Sequence, residues 1–225
     1  MLEEFRPYNE VRRAGGEGLR LEIKNKCLID EYGRERIFNG INMVYKGTED
    51  ASVPGGRRYT REYDAKEFQA LKAKGINLVR LGIVWDAIEH EMGAYDDRYL
   101  SWIENILDNC SKNQIAVFLD MHQDLYSRAF DGGAPLWATL TDGADHIKGD
   151  LWSDAYLYSD AVHTAYQNFW KNKKTEAGIG LLDHYAELWK HVIQRVGTHE
   201  AVIGYDFINE PFSGEMRLKS WAECL

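Results

Sequence analysis

The sequence is poor in cysteine and proline, with three of one and four of the other in 225 residues. Cys27, Cys110 and Cys224 lie far apart and are odd in number. They indicate no disulfide framework and have no metal-ligand spacing. No apolar run is long enough to span a bilayer. Residues 1–10 are polar and acidic, so no signal peptide is visible and localisation stays open. Positive charge is also in deficit, with a formal net charge of -9. An acidic chain repels phosphate backbones, which argues against a nucleic-acid partner. Arg57 with Arg58, and Lys171, Lys173 and Lys174, read as solvated surface. A glycine-rich phosphate turn is missing as well. After the first strand of the α/β pattern the chain reads Asn42-Met43-Val44-Tyr45-Lys46-Gly47, which lacks the spacing of a dinucleotide fold, and no P-loop occurs elsewhere.

Aromatic residues are plentiful, including 7 Trp and 13 Tyr. They serve either as core filling or as flat surfaces for the apolar face of a sugar. Residues 1–20 carry little pattern and read as an irregular lead-in. Residues 27–30 and 34–38 flank Glu31-Tyr32-Gly33, which predicts a β-hairpin. Residues 38–44 predict a strand. Asp64 with Glu67 forms a capping box, Phe68 and Leu71 supply an apolar helix face, and Gly75 suits the position just past its end. Residues 76–85 are apolar apart from Arg80 and predict a strand buried on both sides. Asp96 or Asp97 caps a second helix with Leu100, Ile103, Leu107 and Cys110 on one face. Residues 115–121 predict a third strand. Residues 159–173 look helical, and a further helix is expected from Asp183 to Gly197 with Leu188, Trp189 and Val192 at helical spacing. Residues 202–208 predict a fourth strand.

Strands alternating with helices predict parallel βαβ units. Polar residues close each strand: Asn42 and Lys46; Trp85 and Asp86; His122, Gln123 and Asp124; Asn209 and Glu210. This favours a (β/α)8 TIM barrel over a doubly wound sheet, because a barrel keeps its site at the C-terminal ends of its strands. The expected architecture is the N-terminal half of such a barrel, about four βα units over residues 21–214. A long insertion over residues 125–182 interrupts it, and a tail over residues 215–225 follows.

The sharpest chemical signal is Phe207-Ile208-Asn209-Glu210-Pro211-Phe212. A carboxylate follows an apolar strand and is fixed by a proline that ends it. Asn209-Glu210-Pro211 ending the fourth strand resembles the acid/base motif of glycoside hydrolase family 5. Leu119-Asp120-Met121-His122-Gln123-Asp124-Leu125-Tyr126-Ser127 resembles the third-strand segment of that family's endoglycoceramidases. So do Ala134-Pro135-Leu136-Trp137-Ala138-Thr139 and Asn168-Phe169-Trp170. The similarity spans about residues 37–214.

The resemblance implies retaining hydrolysis of a β-glycosidic bond in a glycolipid by two carboxyl groups about 5–5.5 Å apart. Glu210 matches the acid/base. Nothing here matches the nucleophile, a Glu that ends the seventh strand in the family. Asn209 is expected at the sugar 2-hydroxyl, and Arg80 matches the arginine that holds the nucleophile ionised. A salt bridge from Arg80 to a core carboxylate such as Asp120 is the alternative. His122 and Asp124 are expected near the reacting sugar, and Lys46 at a more distal one. Trp137 and Trp170 either wall the cleft or fill the core. Glu89, Glu91 and Glu215 are formal substitutes for the nucleophile but read as surface residues.

No metal or organic cofactor is implied. The expected partners are a glycolipid substrate, a membrane surface reached through it, and the missing half barrel. The family's usual setting is extracellular or lysosome-like. Two alternatives stand beside the hydrolase: a noncatalytic glycolipid-binding remnant, and a relative acting on steryl glucosides or galactosylceramide. The chain alone is expected to be inactive.

Overall fold

The computed structural model describes residues 21–214. The expected lead-in and tail, with Glu215 and Cys224, lie outside these residues. The first described element is an antiparallel hairpin, β1 (Leu21–Lys24) and β2 (Cys27–Asp30). It falls one strand earlier than the sequence suggested. The turn is Asn25-Lys26, with φ of 54° and 66°. Two successive residues at positive φ give the tight turn that suits strand twist. Gly33 turns the chain too, but there Asp30 Oδ1 accepts from the backbone N–H groups of Tyr32 and Arg34. Residues 34–38 therefore return with only an isolated bridge, Ile29 to Glu35, and not as a strand.

The main sheet is parallel and four-stranded. Its strands are β3 (Gly40–Val44), β6 (Leu78–Ile83), β7 (Ala116–Met121) and β8 (Val202–Asp206), adjacent in that order. A short ribbon of β4 (Thr48–Glu49) and β5 (Arg57–Arg58) follows β3. Helices α1 (Ala65–Ala73), α3 (Asp97–Lys112) and α6 (Leu181–Val192) connect successive sheet strands, and α2 (Trp85–Ile88) is a single turn after β6. In the insertion lie α4 (Ala155–Tyr158) and α5 (Asp160–Trp170). This is the partial (β/α)8 barrel that the alternation predicts.

The helices form where their caps and stripes allow. Asp64 and Glu67 make the expected reciprocal capping box on α1. Asp96, not Asp97, caps α3 by accepting from Arg98 N at 2.9 Å. Ser159 caps α5. Helix α6 begins at Leu181 after Gly180, so Asp183 sits in its first turn, where a negative charge meets the helix dipole.

Side chains alternate across the sheet. Val79, Leu81, Ile83, Val117 and Leu119 face the helices and are 0–1% exposed. They pack with Leu100, Ile103, Leu107 and Cys110 of α3 and Leu188 and Val192 of α6. The register pairs Asn42 with Arg80 and Asp120 with Asp206, so the opposite face is polar. Burial pushes the Cys110 thiol up to about 12, so it packs as an apolar group.

Candidate active site

The polar face and the C-terminal strand ends converge on Arg80. Its Nη2 donates to Asp120 Oδ1 at 2.8 Å, Asp206 Oδ2 at 2.7 Å and Asn209 Oδ1 at 2.8 Å. Its Nε adds a contact to Asp206 at 3.2 Å. A guanidinium in the middle of an apolar strand needs such partners, because an unpaired buried charge is costly. Asp120, fully buried, passes the contact on through Oδ2 to His122 Nδ1 at 2.9 Å. His122 Nε2 lies 3.3 Å from Asp124 Oδ2, and Lys46 Nζ reaches that oxygen at 2.6 Å. Cations and carboxylates thus alternate from Arg80 to Lys46.

Burial alone would lower the pKa of His122. Its hydrogen bonds to Asp120 and Asp124, and their charges, outweigh that and raise it to about 9. Both ring nitrogens are then donors at neutral pH. Burial raises the carboxyl of Asp124, but His122 and Lys46 hold it below the usual carboxylate range. With Arg80, His122 and Lys46 charged, three cations face Asp120, Asp124 and Asp206.

The fourth strand stops at Asp206, short of the expected residue 208, and the segment after it is fixed by contacts to the backbone. Asn209 is 6% exposed, and its N–H donates to Met121 O at 3.0 Å. Its Nδ2 donates to Gln123 O at 3.0 Å. Gln123 Nε2 in turn donates to the carbonyls of Asn209 at 2.7 Å and Glu210 at 3.2 Å. Glu210 has a φ of 43°. A non-glycine residue held in that region marks a position where the surroundings impose the backbone, often for function. The side chain of Glu210 is exposed, and Pro211 follows.

A model of the cellulase family, glycosyl hydrolase family 5, matches residues 30–225. The chain belongs to glycosyl hydrolase family 5. It is 35% identical to an endoglycoceramidase of Cyanea nozakii in an alignment 214 residues long that covers 84% of this chain and 41% of that relative. A structure of endo-glycoceramidase II from Rhodococcus sp. as its lactosyl-enzyme intermediate superposes with a TM-score of 0.72 at 32% identity. It covers 85% of this chain and 44% of that one. A crystal structure of endogalactoceramidase gives a TM-score of 0.75 at 30% identity, covering 90% and 46%. The chain spans less than half the length of these relatives.

Of the residues singled out in this family-5 chain, Arg80, His122, Asp124, Lys46 and Asn209 form one bonded group, with Glu210 next to Asn209. The alternative partner of Arg80, Asp120, is the one observed, and Asp206 joins it. Asp206 escaped the sequence reading, although a lone carboxylate in an apolar strand carries the same signal as Arg80. The tryptophans stand apart from this group. Trp137 packs edge-on against Trp85 and His184, and its Nε1 donates to Glu89 O at 3.1 Å. Trp170 is 41% exposed and donates to Phe212 O at 2.7 Å, just past Glu210.

Glu89 is not the surface residue expected. It is fully buried, and accepts from Trp85 Nε1 at 2.9 Å and Gly93 N at 2.8 Å. Burial raises its pKa above the ordinary carboxylate value despite those two bonds and the nearby His184. The strand-end turn α2 tucks it beneath the insertion, a tertiary contact that local pattern does not reveal.

Proposed function

We propose that this chain forms the proton-donor half of a retaining β-glycosidase that cleaves glycolipids of the glycan–ceramide type. Glu210 is the acid/base. It protonates the oxygen that leaves with the lipid, then removes a proton from the water that releases the sugar. Asn209 meets the 2-hydroxyl of the reacting sugar, where hydrogen bonds strengthen in the transition state. His122 and Asp124 bind that sugar's hydroxyls, and Lys46 a more distal ring. The carrying observation is the segment just past β8: Asn209 is bonded to Arg80, and exposed Glu210 is held beside it at positive φ.

Retention requires a second carboxylate about 5–5.5 Å from the first. Asp120, Asp124 and Asp206 are each committed to cations of the network. The family resemblance then puts the nucleophile on a later strand, outside the described residues. Arg80 is then the group that keeps it ionised. Trp170, exposed and bonded to the segment after Glu210, is better placed than Trp137 to meet the aglycone. Exposed Leu151, Trp152, Leu157 and Tyr158 on the insertion support contact with a membrane surface during glycolipid capture.

The names of the relatives support glycolipids as the substrate class, and lactosyl-ceramide-type lipids are the first to test. The purified 225-residue chain, offered a fluorescent glycolipid, is expected to show no turnover. Turnover would overturn the need for an external nucleophile. A longer polypeptide with an intact Glu210 that binds glycolipid without cleaving it would instead establish a binding protein.

A further inference from the structure

We propose that Asp86 is a positioning residue that sets the Lys46–Asp124 pair by latching two loops to one buried carboxylate. The inference rests on the reading of that pair as a sugar contact, and extends it to a residue that touches neither member. Asp86 is 1% exposed and lies in the single turn of α2. Its Oδ2 accepts from Tyr59 Oη at 2.5 Å and Arg128 Nη1 at 3.2 Å, while Oδ1 lies 3.0 Å from His90 Nδ1. Its own N–H donates to Gly133 O at 2.9 Å.

Each partner leads to one member of the pair. Tyr59 ends the loop that begins at Lys46. A Cβ added at Gly47 would lie 2.8 Å from the Tyr59 ring, so that ring fixes the backbone next to Lys46. Arg57 reinforces it by donating to Lys46 O from Nε at 3.1 Å and Nη2 at 2.8 Å. The same arginine reaches Asp131 O through Nη1 at 3.2 Å. His90 packs against the turn at Gly55, where an added Cβ would approach its ring to 2.5 Å. On the other side Arg128 and Gly133 belong to the segment that carries Asp124, whose N–H and C=O pair with Gly132. Burial and the adjacent Asp86 raise the pKa of Tyr59, so its hydroxyl stays a donor. One carboxylate therefore meets both walls from below, and Lys46 and Asp124 close the gap above.

The test is competitive acylation of the 225-residue chain with trace acetic anhydride, reading Lys46 by mass spectrometry against exposed Lys66. A lysine whose Nζ is held 2.6 Å from a carboxylate is tied up in that contact and meets the reagent slowly. Asp124→Asn sets the rate of an unpaired Lys46. Asp86→Asn is expected to raise the Lys46 rate about five-fold, towards that benchmark, and Tyr59→Phe about two-fold, the scale of losing a partly exposed ion pair. Asp64→Ala, which destabilises a distant helix end, is expected to leave it unchanged. An unchanged Lys46 rate in folded Tyr59→Phe and Asp86→Asn would overturn the proposal. If Asp86→Asn fails to fold, Tyr59→Phe alone decides. A parallel arm adds lactose. If lactose fails to protect Lys46 while Asp86→Asn still accelerates it, the latch stands and the sugar-contact reading falls.

Discussion

The two faces of the four-stranded sheet are built from the same strands yet do opposite work. Towards the helices, Val79, Leu81, Val117 and Leu119 are sealed from water. One residue along on each strand, Arg80 and Asp120 belong to a polar network that reaches Asn209 at one end and His122 at the other. The period of two places both sets side by side in sequence and on opposite sides in space. The covered face supplies cohesion. The polar face holds ions already paired, so the site can carry charge without destabilising the fold.

Substitutions test that division directly. Leu119→Ala on the covered face is expected to cost about 3 kcal/mol, from lost burial and the cavity left behind. Asn42→Ala on the exposed part of the other face is expected to stay within about 0.5 kcal/mol. Urea denaturation measures both, and equal costs would erase the contrast.

The next effect is a pH dependence arising on the polar face. The pKa of His122 is raised from 6.5 to about 9 in the fold. Its contribution is then fully present below pH 6.5 and is lost as pH rises through 9. Stability is expected to fall across that window by of order 2 kcal/mol. His122→Gln should remove this fall, as seen in denaturation midpoints on either side of the window. A smaller effect than these two belongs to neither face: Asp64→Ala removes the cap of α1 and should cost about 1 kcal/mol by the same measurement.

The division also explains what was legible in the sequence. Long-period signals survived: the capping box at Asp64 and Glu67, the α3 stripe, and the apolar strands broken by Arg80. The Asn209-Glu210-Pro211 motif was legible because a proline after a strand-end carboxylate fixes its place. The first hairpin was misplaced because Gly33 is a stronger turn signal than Asn25-Lys26, yet Asp30 turns the chain at Gly33 without forming a second strand there. The burial of Glu89 and Asp86 was hidden for another reason. Their burial comes from the insertion folding over α2, and no local pattern records which loop covers a charged side chain. Asp206 was the available signal left unused: it is a lone carboxylate in an apolar strand, and the register that pairs it with Asp120 puts it on the polar face.

The central claim is that Glu210 donates the proton to the leaving oxygen. The direct measurement is Glu210→Gln in the shortest polypeptide carrying this sequence that turns over a β-lactosyl glycolipid. It is assayed against the lipid and against a dinitrophenyl β-lactoside whose leaving group needs no proton. The account predicts a loss of about 10³-fold in the glycosylation step on the lipid and a near-normal glycosylation step on the activated lactoside. Equal losses on both substrates, or none on either, would contradict it.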